Sequence, residues 1–210
     1  MTKKNSVLLL STLAVCALLA GPALVSNAAD KKGGADVVLV ASSLPKGALS
    51  EWRFVDNPAS PGGKLVDTPN SGGNLDPPPE SDPHVVSKIK VEGGVPYRVW
   101  VHMKVGTAKG VSKANKLWVQ FSNVVDAKGK GILKPESASY LTAQGPTVSG
   151  WVWVPCDMAG EKATKITFKG GGDVTVYIQA GQEGVGFDQL VLSPARFLDA
   201  APTEAVVSTK

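Results

Sequence analysis

The sequence predicts an all-β protein, an antiparallel β-sandwich of the jelly-roll kind. Short apolar or alternating runs recur along the 210-residue chain, separated by Gly- and Pro-rich turns, with no sustained helical periodicity. Many short strands at fairly even spacing are what two packed antiparallel sheets require, and about eight to ten of them suit a jelly roll.

Residues 1–28 read as an export signal. Lys3 and Lys4 form a basic start, residues 7–19 an apolar run too short to span a bilayer comfortably, and Ser26-Asn27-Ala28 offers small residues for cleavage before Ala29. Cys16 follows Val15, where lipid attachment wants a smaller residue. The mature protein is therefore expected to be secreted or periplasmic, with no membrane span after cleavage. Cys156 is then its only thiol, so no internal disulfide supports the fold and the core must suffice.

Residues 29–36 suit a flexible leader, 37–199 the sandwich, and 200–210 a disordered tail without a core pattern. Within the sandwich, the β-branched run at 37–40 predicts a first strand and residues 51–55 a second. The Pro-, Gly- and Asn-rich stretch from Asn57 to Pro83 predicts a long loop laid over the sandwich. Strands follow over 85–91, 97–103, 117–122, 149–154, 164–169, 173–180 and 187–192, with turns at Gly93-Gly94, Lys128-Gly129-Lys130-Gly131 and Gly170-Gly171-Gly172. The formal charge of +4 includes the signal's own lysines, and the rest are scattered, which argues against nucleic acid as a partner. A monomer is expected.

Alternation splits each strand into two faces. Tyr97, Val99, Val101 and Met103 oppose Arg98, Trp100, His102 and Lys104; Leu117, Val119 and Phe121 oppose Trp118, Gln120 and Ser122; Val174, Val176 and Ile178 oppose Asp173, Thr175, Tyr177 and Gln179. The second set in each strand is aromatic and hydrogen-bonding instead of simply charged. Pyranose rings present C–H patches that stack on aromatic faces, and their hydroxyls need paired donors and acceptors. The predicted carbohydrate-binding residues are accordingly Arg98, Trp100, Trp118, Gln120, Tyr177 and Gln179, with Trp151 and Trp153, which like Trp52 are expected to be loop-borne platforms. Asp188 shares its parity with Leu190 and Leu192, so it is expected to point inward at the sandwich rim, capping backbone amides or holding an ion.

The segments Tyr97-Arg98-Val99-Trp100-Val101, Leu117-Trp118-Val119-Gln120-Phe121-Ser122, Gly150-Trp151-Val152-Trp153 and Phe187-Asp188-Gln189-Leu190-Val191-Leu192-Ser193-Pro194 occur in that order. In this the chain resembles the galactose-binding-like jelly-roll domains, relatives of secreted bacterial carbohydrate-binding modules, over roughly residues 36–199. The resemblance implies non-catalytic binding of a polysaccharide. It also implies a structural calcium, with Asp188 matching the acid of the last strand; no other cofactor is expected. The acidic pair of the first strand is absent here, where the residues are Val37-Val38-Leu39-Val40-Ala41-Ser42, and Val154-Pro155-Cys156 follows Trp153 where relatives are polar.

The alternative is a structural or protein-interaction sandwich of the cell envelope that binds no glycan. An enzyme is disfavoured: Asp126, Glu136, Asp157 and Asp188 sit in no hydrolase motif, and no orienting signature joins Cys156 to His84 or His102.

Overall fold

Alternation within the long strands builds two antiparallel sheets. The computed structural model describes residues 34–69, 73–80, 83–106 and 115–207; the expected export signal lies outside them. The strands are β1 (Val37–Val40), β2 (Arg53–Asp56), β3 (Lys64–Asp67), β4 (His84–Val91), β5 (Pro96–Val105), β6 (Lys116–Phe121), β7 (Val124–Val125), β8 (Gly131–Ile132), β9 (Leu141–Gln144), β10 (Gly150–Asp157), β11 (Lys165–Phe168), β12 (Gly172–Ala180) and β13 (Gly186–Ser193). The protein is an all-β antiparallel sandwich, as the sequence predicts.

The first sheet runs β2-β3-β13-β5-β10, with β1 also on β13 and β11 also on β5. The second runs β9-β6-β12-β4, and the last residues of β10 cross over to pair with β9. The long strands alternate between sheets, β4, β6 and β12 in the second and β5, β10 and β13 in the first, which is the connectivity of a jelly roll. Between the sheets lie Val99, Val101 and Met103 of β5, Leu190 and Leu192 of β13, Val119 and Phe121 of β6, and Val176 and Ile178 of β12, all fully or almost fully buried. Each such aliphatic or aromatic side chain contributes about 1.5–3 kcal/mol by leaving water.

The Pro-rich stretch is not all loop: β3 lies inside it and pairs with both β2 and β13. Four residues between Gly-Gly and Thr-Pro are too short to show a period. The hairpin of β7 and β8 forms around the Lys128–Gly131 turn, and β9 was likewise too brief to be foreseen.

Both expected ends of the sandwich are corrected. Asp36, assigned to the leader, is 3% exposed and accepts a hydrogen bond from Ser193 Oγ at 2.7 Å and another from Arg196 Nη1 at 3.2 Å. The segment assigned to a disordered tail is ordered through Val207 and packs on the outer face of the first sheet. Trp100, Val191 and Val206 form a second apolar cluster, with Val38, Trp153, Phe197 and Ala201 against it. Trp100 Nε1 donates to Phe197 O at 2.7 Å. Gln189 grips the returning backbone with both ends of its amide, Nε2 donating to Val206 O at 2.7 Å and Oε1 accepting from Val206 N at 2.9 Å. The outer face of β5 and β13 is apolar at Trp100 and Val191, and so takes the chain's own terminal segment as its cover.

Replacing Gln189 by Ala leaves the Val206 amide and carbonyl without these partners. We expect a loss of about 1–3 kcal/mol in chemical denaturation and faster amide exchange at Val206, whereas an exposed control such as Lys64→Ala should change stability far less.

Candidate functional site

β5 pairs with β10 in a register that sets Trp151 opposite Lys104 and Trp153 opposite His102. Paired residues share a face, so Trp151, Trp153 and His102 all stand on the outer face of the first sheet. The His102 ring enters between the two indoles, with centroids 4.8 Å from each and interplanar angles of 21° and 30°. Both indoles are partly exposed. The three rings form a stacked ledge.

Beneath the ledge lies Asp188. Its Oδ1 is 2.7 Å from His102 Nδ1, and its side chain is only 1% exposed against 21% for the imidazole. A carboxylate accepts, so Nδ1–H donates, and this bond sets both the ring plane and the nitrogen that carries the proton. The inward orientation expected for Asp188 is not what forms. The register of β13 on β5 shifts between Phe187 and Gln189, so Asp188 is the extra residue of a β-bulge. Phe187 opposite Met103 and Leu190 opposite Val101 both stay in the core, while Asp188 turns outward to His102.

Calcium does not fit this site. The ion wants six to eight oxygens, whereas the Asp188 oxygen faces a ring nitrogen under two indoles. Among the described residues, no three His, Cys, Asp or Glu side chains gather to hold a metal.

The residues predicted to bind sugar do not share one face. Arg98, Trp100, Trp151 and Trp153 belong to the outer face of the first sheet, and Trp118, Gln120, Tyr177 and Gln179 to that of the second, on the far side of the core. Six of the eight are buried. Arg98, 4% exposed, makes a two-pronged ion pair with Asp157 at 2.6 and 3.2 Å and donates to the carbonyls of Cys156 and Thr164, tying β5 to β10 and to the segment before β11. Trp100 lies under the C-terminal segment. The Gln120 amide organises residues 134–139, its nitrogen 2.7 Å from Ser137 O and 2.8 Å from Ser139 O, its oxygen accepting from Glu136 N at 3.1 Å. Gln179 holds the Pro-rich loop through Asp76 O at 2.9 Å. Tyr177 stacks on His84 at 4.8 Å, and Trp118, 5% exposed, leans on Tyr140. Trp52 is also buried, edge-on to Phe187. Trp151 and Trp153 alone remain as partly exposed platforms.

What alternation could not reveal is the role of His102, which depends on a bulge in another strand. The signal available was the acid itself, an Asp in an otherwise apolar run. Cys156 is fully buried, and burial pushes its thiol up, so it is not poised as a nucleophile. Grooves of about 680 and 600 Å³ run along β1, the first against β4 and the second beside residues 205–207. Neither groove is lined by Trp151, His102 or Trp153.

Two outcomes follow from these environments. Burial acts to raise the Asp157 carboxyl, but the Arg98 bond and the Thr164 amide outweigh it and hold the group below its ordinary value. A depressed carboxyl stabilises the fold above its unfolded pKa, and this contribution disappears as pH falls through the folded value. Asp157→Asn should lower the melting temperature at pH 7 and flatten its decline as pH falls below about 4, the ordinary carboxyl range. The melting temperature of the wild-type protein should be the same in EDTA as in millimolar calcium, and a chelator-sensitive melt would show that a tightly held ion had been missed.

No protein-family model and no curated protein sequence matches the chain. Solved structures similar to it include the C-terminal CBM6 of the laminarinase LamC of Zobellia galactanivorans, 12% identical, covering 75% of this chain and 98% of that one with a TM-score of 0.45. A carbohydrate-binding module of Cellvibrio mixtus lichenase 5A, in complex with cellotriose, is 12% identical over 76% of this chain and 97% of that one, with a TM-score of 0.44. A family 35 carbohydrate-binding module of Clostridium thermocellum is 14% identical over 74% and 97%, with a TM-score of 0.38. These similar structures are carbohydrate-binding modules.

Proposed function

We propose that the protein is an exported, non-catalytic glycan-binding sandwich whose platform is the Trp151–His102–Trp153 ledge. The observation that carries this reading is a stacked row of three partly exposed rings held in fixed planes on the outer face of the first sheet. An indole face held rigid stacks on a pyranose at little entropic cost, because its rotamer is already set. We take the domain to run from Asp36 through Val207, a reading supported by the Asp36–Ser193 and Gln189–Val206 bonds, and export rests on the character of residues 1–28.

The carboxylates of this face support binding over hydrolysis. Glycoside hydrolysis needs one acid and one base poised across a bond, whereas Asp157 is engaged by Arg98 and Asp188 by His102.

A glycan array probed with the wild-type protein and with Trp151→Ala tests the reading. We expect retention on at least one plant, algal or bacterial polysaccharide and at least tenfold weaker binding by the variant, with an unchanged melting temperature. Base stacking on aromatic residues, worth about 1–3 kcal/mol per ring, sets that scale. A blank array overturns the reading, and so does full retention by Trp151→Ala. Trp118→Ala is the contrasting variant: its ring is buried, so its loss should cost about 3–5 kcal/mol of stability without acting on the ledge.

A further inference from the structure

We infer that the ledge selects an acidic glycan, taking its carboxylate or sulfate group on Lys104. This rests on the reading of the ledge as a sugar platform and names the class of sugar. The argument begins with charge pairing on the outer face of the first sheet. Four acids of this face are already answered: Asp188 by His102, Asp67 by Arg53 at 2.8 Å, Asp157 by Arg98 and Asp36 by Arg196. Lys104 and Lys165 face the same side, the first in register with Trp151 and the second with Arg98. Both are exposed, and among the described residues no carboxylate lies in ion-pair contact with either. On the strands around the ledge, the charges left without an ion-pair partner are therefore those of Lys104 and Lys165.

The position of Lys104 matters more than the sign of its charge. Trp151, Lys104, Gly186, Asp67 and Arg53 are register neighbours on β10, β5, β13, β3 and β2, and so form one row across five strands. At about 4.8 Å per strand the row spans about 19 Å, the length of several sugar units. A ring stacked on Trp151 thus has an ammonium one strand away, followed by a position with no side chain. Gly186 is required there, since a Cβ would meet Val66 O at 2.9 Å and the Asp67 Cβ at 3.1 Å. Beyond it the Asp67–Arg53 pair offers both an acceptor and donors to hydroxyls, Arg53 being 60% exposed. A neutral glycan would leave the ammonium unanswered. An acidic one supplies the missing charge, and the positive field also speeds its approach.

The test compares polygalacturonate with its methyl ester, which share a backbone but differ in charge at each esterified carboxyl, by affinity electrophoresis and titration calorimetry on the full chain. Dextran sulfate against dextran forms the parallel arm for sulfate. We expect an acidic polymer of either arm to bind at least tenfold more tightly than its neutral counterpart and to weaken as salt rises. Lys104→Gln should lose about tenfold, and Lys104→Arg should keep most of the affinity. Trp151→Ala should weaken the acidic and neutral polymers together. Equal affinity for both members of each pair, or an unchanged Lys104→Gln, overturns the preference for acid while the ledge stands. Binding that survives Trp151→Ala undiminished overturns the ledge itself. Failure to bind either acidic polymer also overturns the inference.

Discussion

A carboxylate with almost no exposure sits in a β-sheet, and one imidazole answers it. The Asp188–His102 bond is the constraint on which the outer face of the first sheet depends. Stranded in a medium of low polarity, an ionised acid costs several kcal/mol, so the imidazole is held where it meets that need. Once its ring plane is set from below, the indoles of Trp151 and Trp153 have one geometry in which to flank it. The exposed chemistry of the face is thus dictated by a group that never reaches its surface.

The two sheets solve the same problem by different means. A sandwich sheet has an outer face that water must tolerate, and strands this rich in Trp and Tyr are poorly suited to it. The second sheet hides its aromatic and amide side chains under loops, with Gln120 and Gln179 binding loop carbonyls. The first sheet hides Trp100 and Val191 under the C-terminal segment, with Gln189 as the clasp. In each case a buried glutamine fastens a stretch of backbone that has no strand partner. Such amides resemble ligand-binding groups in composition, since both tasks require a donor and an acceptor on one short stem.

That double use explains how much of the molecule was legible beforehand. The fold class and the inward sets of β5, β6 and β12 follow from alternation alone, because core packing tolerates no error of parity. The outward sets were identified correctly as faces, but their purpose was not, since nothing in Gln120 or Trp118 distinguishes contact with a loop from contact with a sugar. Alternation also says nothing about which strands share a sheet, so Trp100 and Trp118 were placed together although the core separates them. Val206 carries no such signal, because Ala205-Val206-Val207 is too short a run to show a period. Trp151 and Trp153 read from the sequence as loop-borne, whereas they stand on one side of β10, and only the register supplies their partner His102.

The bulge gives β13 two lives. Before it, Gly186 and Phe187 serve β3; after it, Gln189 to Leu192 serve β1. The extra residue lets Phe187 and Leu190, three apart in sequence, both face the core. With Asp188 deleted, Phe187, Gln189 and Leu190 would pair without interruption with Met103, His102 and Val101. The register of the strand survives that loss; what vanishes is the carboxylate beneath His102, and with it the bond that fixes the ring. The bulge therefore serves the side chain it carries and not the spacing of the strand.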